Sequence, residues 1–452
     1  MSITMTLAAA DPVPARSQMG FSLGWHIILA CLGVGMPLMV LFVEWRGLRT
    51  GDVHYQLLAR RWARVLGVLF AVGAVSGTIL SFEMGVLWSD LMANYGAVIG
   101  LPFAIEGFAF FIEAIFLGIY LYAWDRLSPR AHLLSGVPIV LAGIVSAFFV
   151  VTANAWMNSP QGFTVVNGRV VGVDPWSAMF NPATWPETTH MILAAFMVTG
   201  FVMASVYGVA MLRGRRDRYH QLGLLVPLTF AALVTPIQIV VGDWAARFVA
   251  SDQPIKLAAM EGLSHTETHA PISIGGIFVD GSLHGALRIP DGLSLLLRLS
   301  PDGKVTGLDA VPAADRPPVA IVHLAFDTMV GLGFGLLLLG GWLGWSWWRR
   351  RDMPRSVWFL RAVAASGVAV VIAMEAGWIT TEVGRQPWIV YQVMRVSNAV
   401  NPAPGLVYSA LPVIAVYALL TVALIYVLRR IARDRPVPDT PQDADVHEYT
   451  VV

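Results

Sequence analysis

Imidazole, thioether and carboxylate side chains stand where the chain is otherwise apolar. His26, His190, Glu106, Glu113 and Glu375 fall inside long hydrophobic runs, Met329 lies in another, and Glu382 directly follows one. Polar groups in such surroundings are costly and point to function. Imidazole and thioether are axial ligands of haem iron, and a His/Met pair holds an electron-transfer haem. Carboxylates in an apolar run can hold and pass protons, as an oxygen-reducing centre or a proton-coupled transporter requires. Each histidine alone reads equally well as a hydrogen-bonded packing residue, and Met329 alone reads as packing. Glu106 and Glu113 are seven residues apart, so they share one helix face about 10 Å apart. Glu375 and Glu382 repeat that spacing. From these residues alone, haem and a haem-free proton path both stay open.

The elements that position them are membrane helices. Of 452 residues 56% are hydrophobic and 13% charged, whereas soluble domains carry about 25% charged residues. The predicted class is therefore an all-α polytopic membrane protein with the lipid bilayer as its solvent, and no nucleic-acid partner is expected. A bilayer needs about 20 apolar residues per helix. Nine such runs occur, at about 19–43, 65–86, 98–123, 134–156, 187–212, 222–246, 318–347, 357–380 and 405–428. An odd number places the termini on opposite sides. Arginine crowds alternate connections: Arg46, Arg49, Arg60, Arg61 and Arg64; Arg126 and Arg130; Arg213, Arg215, Arg216 and Arg218; Arg349, Arg350, Arg351 and Arg355; then Arg429, Arg430, Arg433 and Arg435. Cytoplasmic loops are the basic ones, so the N-terminus is expected outside and the C-terminus in the cytoplasm. That orientation puts His26, Glu106, His190, Met329 and Glu382, from five helices, at one depth in the outer half, with Glu113 nearer the cytoplasm.

The expected organisation is an outer N-terminal segment, 1–18; helices one to six, 19–246; a long outer loop, 247–317; helices seven to nine, 318–428; and a cytoplasmic tail, 429–452, polar and disordered from Arg435. Residues 1–18 do not read as a cleaved signal peptide. The loop is rich in Gly and Pro, and patches at 272–279, 287–289 and 293–299 suggest short strands or an irregular cap. A connection this long is usually functional. Lys256 and Glu261, five apart within it, read otherwise as a solvated pair. His265 and His269 resemble a small metal site but read better as solvated loop residues; Asp243, Arg247 and Asp252 read as interfacial anchors. The single cysteine, Cys31, excludes an internal disulfide and multi-cysteine metal sites.

Local words then decide between the two chemistries. The chain reads GLPFAIEGFAFFIEAIFLG at 100–118, WDRL at 124–127, ANAWMNSP at 153–160, NPATWPETTH at 181–190, KLAAMEG at 256–262 and EAGWITTEVGRQPW at 375–388. Together these resemble subunit I of the cytochrome bd-type quinol oxidases, from Arg16 to about Leu428. The resemblance implies a quinol:O2 oxidoreductase in the bacterial cytoplasmic (inner) membrane, taking electrons from quinol at the outer face and protons from the cytoplasm. It implies His190 and Met329 as axial ligands of a low-spin haem b. His26 and Glu382 would be ligands in a two-haem site holding high-spin haem b with haem d or a further haem b. Glu106 and Glu113 would serve the oxygen site and its proton route, and Lys256 and Glu261 quinol. Arg16 and Arg385 are implied as haem propionate contacts. A second membrane subunit, subunit II, is the implied partner. The alternative class is a proton-coupled transporter without haem. The chain departs from the family's pattern in Asp327, where arginine is common, in Glu83, where an amide is usual, and in the seven-residue spacing of the two carboxylates at 106 and 113, where eight is more common. Its outer loop is of the short form.

Overall fold

Runs of 24 to 38 residues form the helical segments of membrane length, because in a hydrocarbon surround only internal hydrogen bonds satisfy the backbone. The computed structural model describes residues 12–433 except 168 and 404. In chain order its helices are α1 (Val13–Thr50), α2 (Val53–Leu87), α3 (Ser89–Tyr122), α4 (Pro129–Ser135), α5 (Val137–Asn158), α6 (Pro175–Met179), α7 (Thr184–Leu212), α8 (Arg218–Asp252), α9 (Pro254–Glu261), α10 (Gly292–Arg298), α11 (Val319–Arg350), α12 (Val357–Gly384) and α13 (Ala410–Arg433). Among the described residues nine helical segments, α4 and α5 counting as one, are long and apolar enough to cross a membrane.

Their starts obey local chemistry. Asp52, Ser128, Asp217 and Ser356 accept from backbone N–H groups at the first turns of α2, α4, α8 and α12, satisfying donors that a helix start leaves free. Arginines at these ends lie over aromatic rings: Arg49 over Trp45, Arg60 over Trp124, Arg349 over Trp345 and Arg361 over Trp358. Aromatic rings with snorkelling cations are the usual dressing of a membrane–water boundary.

Helix α7 sits at the centre, against α1, α5, α8 and α12. Close packing there uses small residues, as is common between membrane helices. A Cβ on Gly35 would stand 2.7 Å from Thr199 Cβ, and one on Gly200 2.7 Å from Ala231 Cβ. Helix α13 is peripheral; of its residues only Tyr417 is buried.

The end of the bundle where α8 and α12 finish carries a cap. Four two-stranded antiparallel ladders lie at this end or in its loops: β1 (Thr164–Val166) with β2 (Arg169–Val171), β3 (Ile272–Ile274) with β6 (Leu287–Ile289), β4 (Ile277–Val279) with β5 (Ser282–His284), and β7 (Trp388–Val390) with β8 (Met394–Arg395). The patches at 272–279 and 287–289 are thus strands, but 293–299 is helical, with Leu293 and Ser294 buried. The expected boundaries also shift. Helix α1 starts at Val13, inside the expected 1–18 segment, and α8 continues to Asp252, so the cap starts at residue 253. Helix α13 runs to Arg433; the expected disordered tail from Arg435 lies outside the described residues, as do residues 1–11.

Gly35→Val should cost about 1–3 kcal/mol by overpacking, since Thr199 also donates to Cys31 O and Ala195 O and cannot retreat freely. A thermal scan in detergent should read a lower midpoint; an unchanged midpoint would refute the close approach of α1 and α7.

Candidate redox site and its buried polar node

Asn158, the last residue of α5, is 1% exposed and joins four elements. Its Oδ1 accepts from Lys256 Nζ at 3.0 Å, Arg385 Nη1 at 3.2 Å and Gln253 Nε2 at 3.2 Å, and its Nδ2 donates to Glu187 Oε1 at 2.9 Å and Asn154 Oδ1 at 3.2 Å. Glu382 completes the node, accepting from Asn154 Nδ2 at 2.5 Å and from Arg385 Nη2 at 2.6 Å. Two cations and one carboxylate therefore face the Asn158 amide, and the second carboxylate joins through Asn154 and Arg385. Buried charges are tolerable only when paired in this way. Sequence reasoning missed Asn158, Asn154, Gln253 and Glu187. The ANAWMNSP and NPATWPETTH words contain three of them, but nothing in their spacing shows that they meet.

Lys256 and Glu261 lie on α9, buried and not solvated as the loop reading expects. Five residues of helix turn them about 140° apart, so they serve different sides. Lys256 meets Asn158 and lines a cleft of ≈ 160 Å³ with Asp315, Gln386, Trp388 and Tyr391. Burial pulls its ammonium below the ordinary lysine range, against the opposing pull of Glu187. Glu261 turns instead to the hairpins, where its Oε2 accepts from Ser273 N at 3.4 Å. Burial pushes its carboxyl up to about 7, opposed by that Ser273 bond and aided by Asp327.

Asp327 has its own partners. Its Oδ2 accepts from Gly275 N at 2.5 Å and lies 3.4 Å from His323 Nε2. His323, 0% exposed, also reaches Met260 O and Gly275 O. An acid here clamps the hairpin turn to α11, a bond no arginine could accept.

The ligand candidates occupy separate helix pairs. His26 Nδ1 lies 2.7 Å from Ser76 Oγ, whose hydroxyl donates to Gly73 O. With the hydroxyl proton so placed, Nδ1 carries the ring proton and Nε2 keeps its lone pair, the tautomer a metal needs. A Cβ on Gly77 would stand 3.3 Å from the His26 ring. His190, on α7, faces Gln238 Nε2 at 3.2 Å and Gly242, both on α8. Met329, on α11, faces Gly377 of α12, whose Cβ would stand 3.0 Å from its sulfur. The helices α7, α8, α11 and α12 pack together, so His190 and Met329 belong to one group of helices. Bare backbone beside each ligand leaves it room to turn toward a flat group. Arg385, 2% exposed, has a buried Nε with no acceptor, and a haem propionate would supply one. The donor set therefore fits haem. Arg16 is exposed on the first turn of α1, outside the node.

Glu106 and Glu113 share the seam between α3 and α5. Ser146 donates to Glu106 Oε1 at 3.1 Å, and the Glu113 carboxylate lies 3.7 Å from where a Cβ of Gly143 would be. Glu375, with a buried Oε1 lacking a partner, faces Gly24 of α1. Glu83 accepts from Gln18 and Ser22, both at 2.9 Å. His265 and His269 part company: His265 lies 3.5 Å from Asp309, and His269 sits between Asp291 and Asp302. Asp243 and Arg247 pair at 2.7 Å along α8.

Comparison with known proteins places these residues in context. The family model for cytochrome bd terminal oxidase subunit I matches residues 14–436. A Bacillus subtilis protein bearing the provisional name cytochrome bd menaquinol oxidase subunit I is 38% identical over 443 residues, 96% of this chain and 99% of the relative. The cytochrome bd ubiquinol oxidase subunit 1 of Bacillus subtilis is 31% identical, covering 97% of each. Among solved structures, the bd oxidase from Geobacillus thermodenitrificans superposes with a TM-score of 0.88 at 39% identity, covering 95% of this chain and 100% of that chain.

Asn158→Leu should cost about 3–5 kcal/mol, because it takes the acceptor from buried Lys256 and the donor from buried Glu187; Asn158→Asp returns the acceptor but not the donor, so it should recover only part of the loss. Thermal unfolding of the purified protein checks both, and equal midpoints for wild type and Asn158→Leu would remove the node's role. Glu261 generates a pH effect. Its folded pKa is raised from 4.5 to about 7, so the stability it lends is complete below pH 4.5 and disappears as pH rises through about 7. Hydrogen exchange over 253–317, corrected for intrinsic rate, should show less protection at pH 8 than at pH 6, and Glu261→Gln should flatten that difference.

Proposed function

The chain belongs to the cytochrome bd terminal oxidase subunit I family, and from that premise we propose how its residues divide the work of a terminal quinol oxidase. The family carries haem and pairs subunit I with a subunit II, and membership in it displaces the alternative of a haem-free transporter. Haem, when bound, supplies the one-electron carriers and the iron at which O2 is reduced to water.

His190 and Met329 would hold a low-spin haem b, which would supply the entry point for electrons. His26, kept in its metal-ready tautomer by Ser76, and Glu382, fixed by Asn154 and Arg385, would hold the pair at the oxygen site: high-spin haem b with haem d or a further haem b. Each oxygen of Glu382 keeps a lone pair beyond the one already engaged, so the carboxylate can ligate without breaking the node. Arg385 Nε, and Arg16 nearer the surface, contact propionates.

The cleft beside Lys256 takes the quinol head group. Lys256 donates to a quinol oxygen, and its ammonium in the cleft favours the quinolate that loses electrons. Glu261, on the other flank of α9, holds the hairpins over the site and offers a carboxylate to a released proton. The cap faces outward and the arginine-rich ends face the cytoplasm, so quinol protons leave outside. Glu113 and Glu106 pass cytoplasmic protons toward the oxygen site, and the membrane charges without a pump. The exposed apolar helix faces meet lipid and a second subunit in a bacterial inner membrane.

The observation that carries this reading is the Asn158 node, because the amides of Asn158 and Asn154 in series tie the cation at the quinol cleft to the ligand candidate Glu382. The test is spectroscopic. The purified two-subunit protein should be coloured, and a pyridine haemochrome assay counts its haems. His190→Ala and Met329→Leu should each remove the low-spin α band while sparing the bands of the other haems. A pale wild-type protein, or a low-spin band untouched by His190→Ala, would sink the assignment.

A further inference from the structure

At the end of the bundle away from the cap, three protonatable side chains are buried together and have no part in the reading above. Glu44 of α1, Tyr120 of α3 and His132 of α4 are 4%, 1% and 2% exposed. The Tyr120 hydroxyl donates to Glu44 Oε2 at 2.5 Å, Glu44 Oε1 lies 2.7 Å from His132 Nδ1, and His132 Nε2 donates to the Tyr120 carbonyl at 2.9 Å. The carbonyl has no proton to give, so Nε2 carries one. A second proton must then lie between Nδ1 and Oε1, on whichever atom holds it. The trio thus stores a proton that can change owner within one hydrogen bond.

Its position is as telling as its chemistry. Tyr120 is seven residues beyond Glu113, as Glu113 is beyond Glu106, so the three share one face of α3 at steps of about 10 Å. Helix α5 runs antiparallel along that face and presents a small residue at each level. Ser146 bonds Glu106, Gly143 faces the Glu113 carboxylate, and Gly136 faces the Tyr120 ring, 3.1 Å from where its Cβ would be. The trio also lies just beneath the surface. The Trp124 ring covers His132 with centroids 4.0 Å apart, and over Trp124 lies exposed Arg60, itself paired with exposed Asp125.

We infer that Glu44, Tyr120 and His132 are the collecting site through which protons enter the Glu113–Glu106 row. The inference rests on the proposed reading that this row feeds the oxygen site. His132 passes its shared proton to Glu44. The Glu44 carboxyl turns to bring that proton to the phenol oxygen, which takes it as the phenol O–H, turned toward the seam, gives its own proton to water there. Water at the surface then restores the proton on His132. Only O–H and N–H bonds form or break, and no electron moves. The two turns from Tyr120 to Glu113 exceed one hydrogen bond, so water entering the seam carries that step.

The test uses the complete oxidase in proteoliposomes, with Glu44→Gln, His132→Ala, Tyr120→Phe and, for comparison, Glu113→Gln. The first three should keep the wild-type haem spectrum and full anaerobic reduction by quinol, while O2 turnover falls roughly tenfold or more. Added imidazole should restore His132→Ala but not Glu113→Gln. Turnover at the wild-type rate in all three, with Glu113→Gln slow, overturns the collecting site and leaves the proposed function standing. Wild-type turnover in Glu113→Gln as well overturns the row itself. Losses that track a damaged spectrum, with no rescue by imidazole, identify the trio as a packing pin and also overturn the inference. Tyr120→Phe, which removes a single hydroxyl, decides the matter if the other two fail to assemble.

Discussion

A charge placed inside an apolar bundle must be answered by the protein, because neither lipid nor water will answer it there. At the cap end, Lys256 and Arg385 are both buried, and their common acceptor is the side-chain oxygen of Asn158. Glu187 and Glu382 bring the opposite charges, one accepting from Asn158 and the other from Arg385. Through these contacts the ends of α5 and α12, the start of α7 and the short helix α9 are fixed to one another. Any group that binds or reacts at this end of the bundle does so against that fixed set of charges.

The cap follows from the same constraint. Helix α9 is too short to be held by its own hydrogen bonds. It persists because Lys256 is tied to Asn158 on one flank and His323 bonds Met260 O on another. The hairpins above it are tied to α11 by Asp327 and His323, which bond both the N–H and the C=O of Gly275. Asp327 stands where the resemblance leads one to expect a cation. The structure shows what the acid gains, a mechanical clamp on the turn, and also what it costs its neighbours, since it adds a negative charge near Glu261.

Along the bundle, polar side chains come in levels, each opposite a residue small enough to leave them room. His26 faces Gly77, His190 faces Gly242, Met329 faces Gly377 and Glu113 faces Gly143. Helices that approach this closely hold their facing side chains in few conformations, which suits groups that must keep a fixed geometry. The two ends differ in kind. The cap end gathers fixed charges of both signs, whereas the opposite end gathers Glu44, Tyr120 and His132 around a proton with more than one resting place.

The sequence by itself determined the solvent and the spans, because apolar runs of bilayer length admit one solution and the arginine bias repeats at every turn. It also supplied the candidate ligand types and put Glu106 and Glu113 on one helix face, since helical period is a local property. Spacing does not reveal contacts between distant segments, and the structure decided those. Asn158 meets Lys256 from 98 residues away and Arg385 from 227 residues away. Ser76 orients His26 across 50 residues, and Glu44 meets His132 across 88. Lys256 and Glu261 looked like one solvated pair because they are five residues apart. They meet separate partners because α9 is a helix buried on both flanks, and a helix turns such a pair to different sides.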